Sequence, residues 1–180
     1  MNFCCHIKLL ADYNQWMNSK VYAAAGSLTA EALARDRQAF FGSIQGTLNH
    51  VAVADTMWLK RFALHSGSAA ALDPIRKITM PTKLDQVLFT DFGALSEYRK
   101  LLDATITAWV ALLTDNDFEQ LFDYTTTKGV ATRKQLAGVV LHFFNHQTHH
   151  RGQATTLLSQ AGSDVGDTDL LVLIPNEIQI

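Results

Sequence analysis

Residues 142–153, HFFNHQTHHRGQ, place four of the chain's seven histidines within nine positions of a run that also carries Phe143 and Phe144. At about 100° and 1.5 Å per residue, His142, His146, His149 and His150 fall within an arc of about 100°, so a helix here presents one imidazole face. His142 and His150 would lie about 12 Å apart along the axis, too far to hold one ion, whereas His146 and His150 at i and i+4 are about 6 Å apart. His146 belongs to every feasible pair. The i, i+4 pair is how H-E-x-x-H helices present two imidazoles to a metal, but Gln147 stands where that motif has its catalytic Glu, which argues against a zincin-type protease. A single histidine on a helix is more often structural; four on one face followed by Arg151-Gly152-Gln153 point to ligation.

The 180 residues are 48% hydrophobic and 18% charged, enough for one globular domain spanning 1–180 with a sizeable core. Fifteen basic against seventeen acidic residues give a net charge of −2 without a long block of either sign, so the footprint of a nucleic-acid binder is absent. The N-terminus meets polar residues before an apolar leader could develop, and no run approaches the ~18 apolar residues of a membrane span, so a soluble, cytoplasmic chain is expected. Adjacent Cys4 and Cys5 are poorly placed to pair with each other and suit a reducing compartment. They read as an incidental pair on a frayed terminus, with a reactive thiol or soft ligand near His6 as the other reading.

Apolar residues spaced by threes and fours predict a first helix over 7–26, with Gly26 ending it, and Ser27 is expected to cap a short helix from about 28 to 35. A second long helix is expected from Ser43 to about His65, with His50 inside it. A catalytic zinc usually takes three protein ligands, so the 146/150 pair needs a third from another element. Of the histidines outside the cluster, His50 is the one in mid-helix; His65 falls just before Ser66-Gly67-Ser68, where a helix should stop, and His6 lies on a terminus. The composition of 67–82 predicts a loop, 84–113 a third helix ended by Asp115-Asn116-Asp117, and 121–134 a short β-hairpin or extended excursion around Lys128-Gly129. A fourth helix should open at Thr132 or Arg133 and end near Gly162, leaving 163–180 as a tail laid across the other helices or used between subunits. Trp16 and Trp58 are expected in the core, or else as pocket wall.

Four helices, His50 in TLNHVAVADTMWL and the stretch NHQTHHRGQ together resemble the DinB/YfiT-like family, closest to its DinB branch. Further echoes are DYNQWMN at 12–18, FFGSIQGTLNH at 40–50 and TDLL at 168–171, so the resemblance covers nearly the whole chain. It implies an all-α four-helix bundle of up-down-down-up connectivity, often a homodimer, with a divalent metal bound by three histidines. Matched position by position these are His50, His146 and His150. The family name refers to DNA-damage induction in relatives and does not imply DNA binding.

Some relatives in the wider superfamily are transferases or isomerases that use low-molecular-weight thiols, so the expected function is metal-dependent thiol transfer or hydrolysis of a small-molecule substrate. The alternative is a non-catalytic, metal-binding, stress-associated bundle acting through protein interaction. Zinc or nickel leads among the metals, and imidazole also suits iron or copper. Asp55, His142, His149, Arg151 and Gln153 are candidates for the surroundings of the metal or the pocket: Asp55 is more often structural than catalytic, with a histidine-orienting or pocket carboxylate as the other reading, and Arg151 and Gln153 could contact an anionic or thiol cosubstrate, although capping and tertiary hydrogen bonds explain such residues more often. Met17, Phe92, Leu95, Trp109 and the LLVLIP tail are candidates for a second apolar face that a homodimer would bury.

Overall fold

The computed structural model describes residues 2–65 and 70–176. The chain is mostly helical, with α1 (Phe3–Gly26), α2 (Ala30–Ala34), α3 (Ile44–Phe62), α4 (Asp73–Arg76), α5 (Phe92–Leu112), α6 (Asp115–Phe118), strands β1 (Leu121–Thr125) and β2 (Ala131–Gln135), then α7 (Leu136–Gln160). Short 3-10 turns at Ala70–Leu72 and Leu170–Leu173 complete it. Among the described residues no helix is long and apolar enough to cross a membrane.

Local chemistry sets where these elements begin, and several boundaries differ from those the periodicity predicts. Asn2 caps α1 by accepting from Cys5 N, so the helix starts four residues early. Cys4 is consequently not on a frayed end: it is buried, and its thiol donates to Leu113 O at 3.1 Å. Thr29 rather than Ser27 caps α2, because the Ser27 hydroxyl is taken by Ala24 O. The expected third helix begins at Phe92 instead of Leu84. Asp91 caps it, and the preceding segment is held out of the helix by Asn49, whose Oδ1 accepts from both Leu88 N and Phe89 N. Asp115-Asn116-Asp117 forms α6, a turn of its own capped by Thr114, and the hairpin's second strand holds residues through Gln135 before α7 can start. The hairpin is antiparallel, pairing Leu121 with Gln135 and Thr125 with Ala131, and Gly129 takes the positive φ its turn requires. The loop expected over 67–82 contains Ala70–Leu72 and α4, whose last carbonyls accept from Lys60 Nζ. Ser66-Gly67-Ser68 and the last four residues of the tail lie outside the described residues.

The four long helices pack through named contacts that fix their directions. Cys4 meets Leu113, Asn14 and Asn18 meet Asp103, and Tyr22 stacks on Phe92, so α1 and α5 run antiparallel. Asp55 meets Gln147 and Phe62 meets Phe143, so α3 and α7 also run antiparallel. By contrast Thr56 meets Tyr98 and Phe62 stacks on Trp109 at 4.5 Å, which makes α3 and α5 parallel. Phe62, Trp109, Phe122 and Phe143 form the aromatic centre of the core, each fully buried and each worth about 1.5–3 kcal/mol of apolar burial.

Met17, Leu95 and Trp109 are buried within this core and Phe92 is half-buried against Tyr22, so they do not form a second apolar face. Their helical spacing placed them on a stripe, and the stripe is the one the chain covers itself. The tail runs along α1, with Tyr13 donating to Thr168 O, but leaves Leu171 and Val172 exposed.

Candidate metal centre

The α3–α7 contact brings three imidazoles together. One ring nitrogen from each of His50, His146 and His150 lies within 4.8 Å of the other two. His50 Nε2 is 3.2 Å from His150 Nε2, and His146 packs beside both, its ring centre 5.3 Å from that of His50 and 4.4 Å from that of His150. His50 and His150 are buried and His146 is half-buried.

Hydrogen bonds at the far side of two rings fix which nitrogen is free. His50 Nδ1 lies 2.7 Å from the carbonyl of Leu84, an acceptor only, so Nδ1 carries the proton and Nε2 the lone pair. His150 Nδ1 lies 2.7 Å from Gln153 Oε1, with the same result. Two lone pairs therefore face each other at 3.2 Å with no proton between them. A cation resolves this. Two nitrogens bound tetrahedrally at about 2.0–2.1 Å are roughly 3.3–3.4 Å apart, so the donor set present fits a divalent ion.

Burial pushes all three imidazoles below their ordinary pKa, which keeps them neutral and available as ligands. The shift is largest for His146, down to about 3, where desolvation is joined by the neighbouring histidines.

The surroundings follow from local sequence. Asn49 Nδ2 donates to Phe89 O at 3.0 Å, and with its two accepted bonds this holds the irregular segment before α5 and thus the Leu84 carbonyl against His50. Phe41 stacks on His50 with ring centres 3.8 Å apart. Gly46 makes that possible: a Cβ there would sit 2.1 Å from Phe41 O, so only glycine lets the loop lie on the first turn of α3.

The remaining candidates separate. Gln153 bonds to His150, which makes it a ring-orienting group. His149 is exposed and lies 3.4 Å from Gln153 Nε2, outside the cluster. His142 is exposed, one turn from His146, and lines a cleft with Trp58. Trp58 is half-buried and forms pocket wall more than core. Asp55 does not orient a histidine: it is fully buried, ion-paired with Arg99 and bonded by Gln147 Nε2 at 2.8 Å. Arg151 is buried too, donating to Asn14 Oδ1 and to Thr148 Oγ1, so it is withdrawn from any cosubstrate. Both point inward because their helical positions lie on core stripes. His6 and His65 are not in the cluster. Sequence reasoning missed Phe41, the Leu84 carbonyl and Asn49; of these only Asn49, adjacent to His50 on a core-facing position, left a readable signal.

Residues 3–178 match the DinB family. The chain is 24% identical over 162 residues to Protein DinB of Bacillus subtilis (strain 168), covering 89% of this chain and 88% of that protein. Its fold is similar to that in the crystal structure of a DinB-like protein from Bacillus cereus ATCC 10987, with a TM-score of 0.55 and 24% identity over 92% of this chain and 94% of that one.

Proposed function

This chain belongs to the DinB family, and from that premise we propose that it is a divalent-metal-dependent enzyme whose ion is held by His50, His146 and His150. The reaction class is thiol transfer or hydrolysis on a small molecule. The observation that carries the reading is the pair of unprotonated Nε2 atoms facing each other at 3.2 Å, with His146 beside them. Three neutral imidazoles leave the full dipositive charge on a bound ion, which then lowers the pKa of a water toward about 7 or holds a thiol as thiolate.

The chain's own groups do the rest. Leu84 O and Gln153 Oε1 keep the Nδ1 protons of His50 and His150 away from the ion, Phe41 shields one face of His50, and the cleft beside His146 receives the substrate. Zinc or nickel heads the candidates, with iron or copper also compatible with imidazole. A low-molecular-weight thiol is the expected cosubstrate.

The same reading includes an up-down-down-up four-helix bundle, supported by the antiparallel α1–α5 and α3–α7 contacts and the parallel α3–α5 contact. It also includes a homodimer, supported by the exposed Phe40, Leu64, Leu171 and Val172. A cytoplasmic location accords with two free thiols. The test is a screen of metal-restored, untagged protein against thiol cosubstrates and ester or amide substrates. Metal-dependent turnover lost in His146→Ala supports an enzyme; stoichiometric metal with no turnover supports instead a metal-binding bundle that acts through protein interaction.

A further inference from the structure

The cleft that opens beside His146 contains a cation. Arg61, on the last turn of α3, lies over the Trp58 ring with its guanidinium carbon 4.7 Å from the ring centre and is 5.5 Å from that of Tyr124. It is half-buried, and among the described residues no carboxylate comes within ion-pair distance and no hydrogen bond to a protein acceptor is made. Other arginines have side-chain partners: Arg99 pairs with Asp55 and Asp103, Arg133 with Asp123 and Arg76 with Asp73, and Arg151 bonds to Asn14.

The two rings hold this half-buried guanidinium in place and leave its N–H donors to a ligand. Burial presses Arg61 below the usual arginine range, opposed only by Tyr124, and among the described residues no carboxylate pairs with it. The cleft of about 270 Å³ lined by Arg61, Trp58, Tyr124, Thr126, His142 and His146 includes no acidic side chain, and a neighbouring hollow of about 330 Å³ shares Arg61 and Tyr124 with it. Asp123, at the rim of that hollow, is occupied by Arg133 at 2.6 and 2.8 Å.

Resting on the metal-site reading above, we propose that Arg61 is the anion-binding group of this cleft and that the substrate or cosubstrate is a small carboxylate, its charged end on Arg61 and its reactive end toward the three histidines. One guanidinium beside threonine hydroxyls matches the single charge and planar fork of a carboxylate. A phosphate dianion would need further donors, and Arg61 sits at a helix C-terminus, where a second negative charge is disfavoured. Trp58 and Tyr124 give the apolar body of such a ligand a wall.

The test is calorimetric titration of the full chain, metal-free and zinc-loaded, with hexanoate, hexanamide and inorganic phosphate. The wild type is expected to bind hexanoate at least about tenfold more tightly than hexanamide, and more tightly than phosphate. Arg61→Gln should lower hexanoate affinity about tenfold, to the level of hexanamide, in both metal states; Arg61→Lys should retain an intermediate preference. Circular dichroism confirms that each variant is folded, and if Arg61→Gln is not, the wild-type and Arg61→Lys titrations decide. Equal binding of hexanoate and hexanamide, no hexanoate binding at millimolar concentration, an unchanged Arg61→Gln, or phosphate binding more tightly than hexanoate would each overturn the proposal. The metal-free arm separates the two readings. A charge preference that survives there while the chain takes up no metal leaves Arg61 in place and removes the metal; metal uptake without the preference does the reverse.

Discussion

Two buried polar regions share this core, and they are built on opposite plans. Between α1, α3 and α5, Arg99 lies between Asp55 and Asp103 (Nη2 to Asp103 Oδ1, 3.0 Å), and Asn14 and Asn18 donate to the same Asp103 at 3.1 and 2.8 Å. Arg151 reaches the network through Asn14. Two cations thus stand with two carboxylates. Between α3 and α7, three imidazoles converge with no proton between the facing Nε2 atoms of His50 and His150 and, among the described residues, no carboxylate in the cluster. The first region is balanced in charge as folded and ties three helices to one register, although Arg99 Nε and Nη2 are buried without a hydrogen-bond acceptor. The second gathers neutral donors, a set that could hold a cation. Gln147 borders both: its Nε2 bonds to Asp55 while its Oε1 is buried without a partner.

Removing a charge from the balanced region should have the largest effect. Arg99→Met strands two buried carboxylates and is expected to cost about 3–5 kcal/mol in urea unfolding. A cost under about 1 kcal/mol would mean that the network does not set the register and that the contrast between the regions is false.

Asn49→Ala acts on the boundary of the histidine region. It leaves Leu88 N and Phe89 N without their acceptor, for about 1–3 kcal/mol, and releases the Leu84 carbonyl from His50. Metal affinity should fall about tenfold or more, measured by competition with a chelator. Unfolding that changes while affinity does not would separate the loop from the site.

The pH dependence of the metal-free chain sharpens the contrast further. The three histidines titrate near 6.5 when unfolded and lower when folded, so below about pH 6.5 the unfolded chain takes up protons that the folded one refuses. Stability therefore falls as pH drops through this range, continuing toward about pH 3 for His146. Asp103, pushed up to about 6 by burial, works the other way between about pH 6 and 4, and one carboxylate against three imidazoles leaves the net sign unchanged. Thermal melts at pH 7 and pH 5 read it, and a flatter profile is expected for His146→Ala. A wild-type chain more stable at pH 5 would contradict neutral imidazoles.

The smallest effect belongs to His149→Ala. The side chain is exposed and outside the cluster, so metal content should be unchanged and stability within about 0.5 kcal/mol. Stoichiometric metal loss would move the ligand pair to His146 and His149.

The histidine region was the more legible in the sequence. The i, i+4 spacing of His146 and His150 is a property of one helix, and a mid-helix His50 needed only one further contact. The balanced region hid in plain periodicity. Arg99 continues the stripe Leu95, Leu102, Ile106, and Asn14 and Asn18 continue Ile7, Ala11, Val21, so their burial was readable, but which charge meets which depends on helix directions that spacing does not encode. The start of α5 was missed for a related reason. Leu84 and Leu88 fit the helical period, yet Asn49, some forty residues away, takes the Leu88 and Phe89 amides out of any helix. Arg61 was passed over because a cation near a helix C-terminus is ordinary until the structure shows it without a carboxylate partner among the described residues.

Binding of a divalent cation by the α3–α7 cluster is tested most directly by titration of metal-free, untagged protein with cobalt(II), followed by visible absorption. The account predicts one ion per chain, with His50→Ala, His146→Ala and His150→Ala each abolishing the stoichiometric uptake while His142→Ala and His149→Ala retain it. No uptake by the wild type, or uptake that survives the loss of His146, would contradict it.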